Sequence, residues 1–75
     1  MPHVVIKLYP GRSVQQKTRL TQQILRDVTT VLNCGEESVS VAIEDIEPGD
    51  WPEKVYKADI ISNWEKLYKK PGYTM

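Results

Sequence analysis

A proline directly after the initiator methionine, Met1-Pro2, is the feature of the sequence with the clearest chemical potential. If Met1 is removed, as is common when the second residue is small, Pro2 begins the mature chain and carries a free secondary amine. A free α-amino group has a pKa near ~8, and desolvation in an apolar pocket lowers it because burial disfavours the charged form. Such an amine can shuttle protons near neutral pH. The alternative is an ordinary N-terminal proline without a chemical role.

The residues after Pro2 predict a strand that would hold this amine in place. Along His3–Tyr9, the apolar residues Val4, Ile6 and Leu8 fall on one face, which is the period-two pattern of a strand. A terminus that belongs to a sheet is fixed, whereas free chain ends fray. His3 is either a neighbour that tunes the amine or a surface residue.

A long amphipathic helix is predicted next. Pro10-Gly11 ends the strand, and Ser13 followed by Gln16 fits a capping box. Apolar residues then recur at helical spacing between about Val14 and Leu32, namely Leu20, Ile24, Val28, Val31 and Leu32. Asn33-Cys34-Gly35 stops the helix, and we expect Gly35 to adopt the left-handed conformation that commonly closes one.

A second strand is predicted from Ser38 to Ile46, where Val39, Val41 and Ile43 alternate with other residues. Strand, long helix and strand make a βαβ unit, so the fold class is α/β. Such a crossover leaves the two strands parallel and is almost always right-handed. A lone two-stranded sheet keeps unsatisfied edges and one open face, which favours pairing with a second chain.

The remaining residues predict a C-terminal helix. Asp50 is placed to cap a helix that starts near Pro52. Its apolar stripe would consist of Tyr56, Ile60, Trp64, Leu67 and Tyr68. No repeat or linker divides the chain, so we expect a single domain over residues 1–75.

Composition excludes several classes of function. The chain has 75 residues, and its ten basic residues balance its ten acidic ones, so it lacks the charge of a nucleic-acid binder. One cysteine and one histidine leave no metal site and no internal disulfide. No apolar run suits a membrane span. We expect a cytoplasmic protein without metal, with an oligomeric state that compensates for its small core.

Several of these residues together resemble the 4-oxalocrotonate tautomerase family. The resemblance rests on the proline after Met1, Gly11-Arg12-Ser13 at the helix start, Gln16-Lys17 in its first turn and the strand Val39–Ile43. It covers residues 2 to 51. The tail Lys69–Tyr73 further resembles the branch that acts on phenylpyruvate-like enols. The resemblance implies βαβ chains that pair into a shared four-stranded sheet, and proton transfer without a cofactor.

The resemblance also assigns roles to individual residues. It implies that Pro2 is the catalytic base and acid, that Arg12 grips a substrate carboxylate across the subunit interface, and that Trp51 lines the pocket. The family's second arginine falls at Ser40 in this chain. A dicarboxylate would therefore lose one of its two cationic anchors, which argues for a monocarboxylate.

The sequence thus predicts a tautomerase that interconverts the enol and keto forms of a 2-oxo monocarboxylic acid with an apolar or aromatic tail. It is expected to be a homo-oligomer, with a dimer favoured over a hexamer, and to bind neither nucleic acid nor membrane. Two alternatives stay open. One is a proline-assisted hydratase or dehalogenase of unsaturated acids, and the other is a non-catalytic oligomerising module that binds a ligand.

Overall fold

The computed structural model describes residues 1–75, which form two compact units, residues 1–45 and 46–75. The first unit contains β1 (His3–Leu8), α1 (Val14–Leu32), a 3₁₀ turn (Glu36–Ser38) and β2 (Ser40–Asp45). The second contains a 3₁₀ turn (Pro48–Asp50), a π-helix (Pro52–Ile60) and a 3₁₀ helix (Ile61–Lys66). A single domain over the whole chain stays a prediction.

The two strands of the first unit pair in parallel. The register runs from His3 opposite Ser40 to Leu8 opposite Asp45. Residues opposite each other share a face of the sheet and successive residues alternate between faces, so the pairs Val4/Val41 and Ile6/Ile43 lie on one face and the pair Val5/Ala42 lies on the other. The βαβ topology predicted from the sequence is therefore confirmed. β2 begins two residues later than the pattern suggested, because Glu36–Ser38 form a 3₁₀ turn.

Local capping explains where α1 begins. The Ser13 Oγ accepts a hydrogen bond from the Gln16 N–H at 3.0 Å, and the Gln16 Oε1 accepts one from the Ser13 N–H at 3.0 Å. This is the predicted capping box, and it satisfies donors that a helix start otherwise leaves unpaired. Just before it, Gly11 has φ +117°, a backbone conformation that other residues rarely adopt. Gly11 thus allows the turn from β1 into α1.

The end of α1 differs from the prediction in one residue. Asn33, not Gly35, adopts the left-handed conformation, with φ 52° and ψ 55°. Its N–H donates to the Thr29 carbonyl, as does the N–H of Cys34. Asparagine tolerates this conformation because its short polar side chain can hydrogen-bond locally. The assignment of Gly35 was wrong, because the helix has already closed when the chain reaches it.

The chain contains very few fully buried side chains. Val55 and Tyr56 of the π-helix are buried, with 5% and 9% of their surface exposed, and they are the only two residues in this class. In α1, Ile24 and Val28 are half-buried, whereas Leu20, Val31 and Leu32 of the same predicted stripe are exposed. The first unit therefore has no fully buried residue, and much of its apolar surface stays open in the single chain.

The C-terminal helix starts where expected but is not capped as expected. Trp51 is the N-cap residue of the π-helix, and no side chain caps it. Asp50 instead ends the preceding 3₁₀ turn, and its carboxylate lies 3.5 Å from the Lys54 Nζ. The predicted cap by Asp50 was therefore wrong, because this carboxylate pairs with a lysine in place of the helix N–H groups.

The same segment is π-helical and then 3₁₀-helical. The Ile61 N–H is shared by the carbonyls of Lys57 and Tyr56, four and five residues earlier. Beyond it, Asn63 leaves helical geometry, and its Nδ2 donates to the Asp59 carbonyl at 3.0 Å. The change in helix type breaks the predicted stripe. Tyr68, expected on the apolar face, lies beyond the helix and is fully exposed.

Candidate active site

Pro2 is held at the head of the sheet. Its carbonyl accepts a hydrogen bond from the Ser40 N–H at 3.2 Å, which continues the parallel pairing by one residue beyond β1. Pro2 is half-buried, whereas Met1 is fully exposed. The strand pairing therefore fixes the residue that carries the expected base. While Met1 is present, the nitrogen of Pro2 belongs to a planar amide and is not basic.

Arg12 lies between Gly11 and the N-cap residue Ser13, so the turn into α1 sets its position. Its side chain is exposed and makes no hydrogen bond or ion pair within the chain. The first turn of α1 contains no acidic residue. A helix start also favours negative charge, because unpaired N–H groups and the helix dipole point toward it. The surroundings of Arg12 suit an anionic group.

Pro2 and Arg12 lie toward opposite ends of β1. The chain enters α1 at the end of the sheet where both carboxylate oxygens of Asp45, the last residue of β2, lie 2.9 Å from the Lys17 Nζ. Pro2 precedes the other end. The six residues of β1 span roughly 20 Å at about 3.3 Å per residue. Within one chain, the structure does not bring these two predicted site residues together.

Trp51 belongs to the second unit and directly precedes the π-helix as its N-cap residue. It is half-buried, and its indole Nε1–H donates to the hydroxyl oxygen of Tyr73 at 3.1 Å. The Tyr73 ring also lies against Tyr56, with 5.7 Å between ring centroids and 38° between the planes. Trp51 is thus part of a cluster of three aromatic side chains. Sequence reasoning missed Tyr73, because only the folded tail places it beside Trp51.

Ser40, where the family resemblance predicts a second arginine, lies within hydrogen-bond distance of His3. The His3 Nδ1 and the Ser40 Oγ lie 2.6 Å apart, and both side chains are exposed. This pair depends on the register of the two strands, which the alternation of residues along each strand does not specify. Pairing the first residues of the two predicted strands would have placed His3 opposite Ser38, two residues away from the observed partner.

A shallow groove of about 340 Å³ lies between α1 and β2. Its lining residues are Val14, Lys17, Thr18, Thr21, Gln22, Val41 and Ile43. None of the predicted site residues contributes to it. Val41 and Ile43 place this groove on the face of the sheet covered by α1, so it reflects incomplete packing of the helix on the strands. Separately, no helix in the structure combines the length and apolar character needed to cross a membrane.

The βαβ unit headed by a proline defines a class of small α/β enzymes, and comparison with known proteins identifies it. The family model described as "Tautomerase enzyme" matches residues 2–53. The chain therefore belongs to the tautomerase family, and it is an isomerase. The match includes Pro2, Arg12 and Trp51. The resemblance to 4-oxalocrotonate tautomerases that the sequence suggested is confirmed.

Individual relatives agree with this assignment. A probable tautomerase of Xylella fastidiosa (strain 9a5c) is 40% identical over 73 residues, which covers 97% of this chain and 89% of that protein. Tautomerase PptA of Escherichia coli O139:H28 is 38% identical over 76 residues and is matched over the full length of both chains. The similarity to PptA therefore extends through the second unit, beyond the residues matched by the family model.

Proposed function

We propose that this tautomerase interconverts the enol and keto forms of a phenylpyruvate-like 2-oxo monocarboxylic acid, with the amine of Pro2 as general base and acid. The observation that carries the proposal is the position of Pro2, which strand pairing with Ser40 fixes directly behind an exposed Met1. Removal of Met1 converts the amide nitrogen of Pro2 into an amine and leaves the hydrogen bond between the Pro2 carbonyl and the Ser40 N–H in place. The proposal includes this removal and a cytoplasmic location.

The reaction moves one proton and changes no oxidation state. In the direction from enol to ketone, the enol O–H bond breaks and the Pro2 amine accepts the proton. The carbon–oxygen bond becomes a carbonyl as the carbon–carbon double bond becomes single. The protonated amine then delivers its proton to the neighbouring carbon, and a C–H bond forms. A single group with a near-neutral pKa performs both steps, so no cofactor is required.

Arg12 binds the substrate carboxylate in this mechanism. Its unpaired guanidinium, exposed at the start of α1, supports the role, because such a group can form two parallel hydrogen bonds to a carboxylate. Its position toward the far end of β1 from Pro2 supports a site made by two chains, in which one subunit supplies the base and another the arginine. Catalysis then depends on assembly of the homo-oligomer.

A dimer is the favoured assembly. The first unit has no fully buried residue, and each strand of its two-stranded sheet has an unpaired edge. Burial against a second chain would remove this apolar surface and these edges from water. The C-terminal helical segment distinguishes this chain from family members that close with a short hairpin, and it favours a dimer over a hexamer.

Two residues adapt this site to a monocarboxylate with an apolar tail. Ser40 is uncharged and bonded to His3, so it gives a second carboxylate no cationic partner. Trp51 supplies an aromatic wall, and its indole is half-buried within the second unit. An aromatic substrate tail gains favourable ring packing and area burial against such a wall. Together these features support phenylpyruvate in preference to a dicarboxylate.

The test is an ultraviolet assay of enol decay with phenylpyruvate, on protein whose mature N-terminus is verified by mass spectrometry. Trimmed protein should accelerate the decay above the buffer rate in proportion to enzyme concentration. The matched control is the same chain with an N-terminal extension, in which Pro2 is an amide. Trimmed protein that fails to accelerate the decay would refute the proposed substrate class. Equal activity of both forms would refute Pro2 as the base.

A further inference from the structure

The C-terminal tail returns to the start of the π-helix through Tyr73. Tyr73 lies seven residues beyond Lys66, where the last helical segment ends. Its hydroxyl oxygen accepts the Trp51 Nε1–H at 3.1 Å. The indole N–H is the only polar group of a tryptophan side chain and acts only as a donor. The position of this acceptor therefore selects among the orientations open to the Trp51 ring.

The helix type explains why one tyrosine contacts two aromatic residues. Trp51 and Tyr56 are five residues apart, which is the hydrogen-bond spacing of a π-helix, so the two side chains lie on one face. Tyr73 packs its ring against Tyr56 at 5.7 Å between centroids while its hydroxyl contacts Trp51. Tyr56 is buried, so this contact anchors Tyr73 on a fixed neighbour.

A second contact restrains the tail before Tyr73. The Lys70 Nζ lies 5.5 Å from the centroid of the Trp64 ring, within the range of a cation–π interaction. The tail is therefore attached to the helical segments on both sides of Pro71-Gly72. Such a restrained tail can hold an acceptor in one place, whereas a frayed terminus cannot.

We propose that Tyr73 is a positioning residue that fixes the Trp51 indole and so determines how well the site accepts an aromatic substrate tail. The inference rests on the proposed function through the role of Trp51 as the wall of the pocket. Tyr73 acts through Trp51 and does not take part in proton transfer. Its loss should therefore affect binding of the substrate tail and leave the chemical step unchanged.

The test compares Tyr73→Phe with Tyr68→Phe. The first variant removes the acceptor oxygen and keeps the ring against Tyr56, and the second removes a hydroxyl from a fully exposed tyrosine. A net hydrogen bond contributes a factor of roughly 2 to 10, so Tyr73→Phe should raise KM for phenylpyruvate enol by about that factor with kcat unchanged. KM for the enol of a short-tailed 2-oxo acid should stay the same, as should all constants of Tyr68→Phe.

Fluorescence provides a measurement that does not depend on turnover. The chain has two tryptophans, so a Trp64→Phe background leaves Trp51 as the sole emitter. Adding Tyr73→Phe to this background should lower emission anisotropy and increase quenching by acrylamide, because the indole gains freedom. Unchanged fluorescence, a fall in kcat, or equal KM changes for aromatic and short-tailed substrates would each overturn the inference. Wild-type protein that lacks activity would refute the proposed function, while the fluorescence result would still decide whether Tyr73 holds Trp51.

Discussion

The His3 Nδ1 lies 2.6 Å from the Ser40 Oγ, which joins the side chains of the first residues of two parallel strands. Ser40 also donates its backbone N–H to the carbonyl of Pro2. One serine therefore fixes the backbone of the proposed base and engages the side chain that follows it. The position where the family resemblance predicts a second arginine is therefore occupied by an uncharged serine that contacts His3.

Replacement of Ser40 tests the preference for monocarboxylates. Ser40→Arg adds a second cation that can bind a second carboxylate. The value of kcat/KM for a dicarboxylic enol, divided by that for a monocarboxylic enol, should therefore rise by about 10-fold or more. This size corresponds to a hydrogen bond to a charged group, which contributes roughly 1.5–3 kcal/mol. Ser40→Gln is the matched control, because it adds length without charge and also removes the bond to His3. If wild-type protein already prefers dicarboxylates, the reasoning about Ser40 is wrong.

Arg12→Ala should reduce turnover of a 2-oxo acid enol by roughly 10²-fold or more, by analogy with the loss of one charge-stabilising donor. The fold should be unaffected, because Arg12 is exposed and has no partner within the chain. Steady-state kinetics and circular dichroism measure the two effects. Arg19→Ala, which removes an exposed arginine within α1, should retain full activity. Full activity in Arg12→Ala would mean that a group other than Arg12 binds the substrate carboxylate.

Hybrid dimers test whether Pro2 and Arg12 of one site come from different chains. Mixing a chain with a blocked N-terminus and Arg12→Ala, then exchanging subunits, should restore about a quarter of wild-type activity, because half of the dimers are mixed and each has one intact site of two. Each parent alone should be nearly inactive. Absence of recovery in mixed dimers, verified by mass, would place both residues in one chain. Light scattering that finds only monomers at micromolar concentration would refute the assembly.

Retention of Met1 should lower the rate of turnover, because the amide nitrogen of Pro2 cannot take a proton. The expected decrease is at least the roughly 10²–10⁴-fold that general acid–base catalysis typically contributes. Single-turnover assays on the two forms, separated and identified by mass, measure the difference. The trimmed form should also gain activity as pH rises, since the neutral amine is the active base and a free α-amino group loses its proton near pH ~8 or below when desolvated. A flat pH profile would contradict an amine base.

Ser13→Ala should lower the free energy of unfolding by about 1 kcal/mol, because it removes the acceptor that caps α1. For a chain of this size, such a loss lowers Tm by roughly 4–8 °C. Thermal denaturation at matched concentration measures the change, since assembly makes Tm depend on concentration. Gln15→Ala, on an exposed neighbour outside the capping box, should shift Tm far less. Equal shifts would mean that the capping box contributes nothing specific.

The parts of the fold that could be predicted are those fixed by local rules. Alternation along β1, the capping pair Ser13 and Gln16, and the apolar spacing of α1 all act within a few residues, and the structure agrees with each. The closing residue of α1 was predicted wrongly, because Gly35 and Asn33 both tolerate a positive φ. Only the length of the helix decides between them. Among the residues proposed for the site, Pro2 follows from its position after Met1, whereas Arg12 and Trp51 were assigned by the family resemblance.

The second unit was harder to predict, because side chains there compete with the backbone. The Ser62 hydroxyl donates to the Lys57 carbonyl at 2.7 Å, and Asn63 donates to the carbonyl of Asp59. Such bonds favour departures from α-helical geometry, which a spacing of 3.6 residues does not anticipate. The contact between Trp51 and Tyr73 spans 22 positions, so no local pattern contains it.

The hydrogen bond from Ser40 to the Pro2 carbonyl gives N-terminal processing an unusual meaning. Met1 lies outside the paired strands, so its removal does not change the backbone pairing that fixes Pro2. Under the proposed mechanism, a chain that keeps Met1 is therefore folded but inactive. The specific activity of a preparation would then measure the fraction of its chains whose N-terminus has been processed.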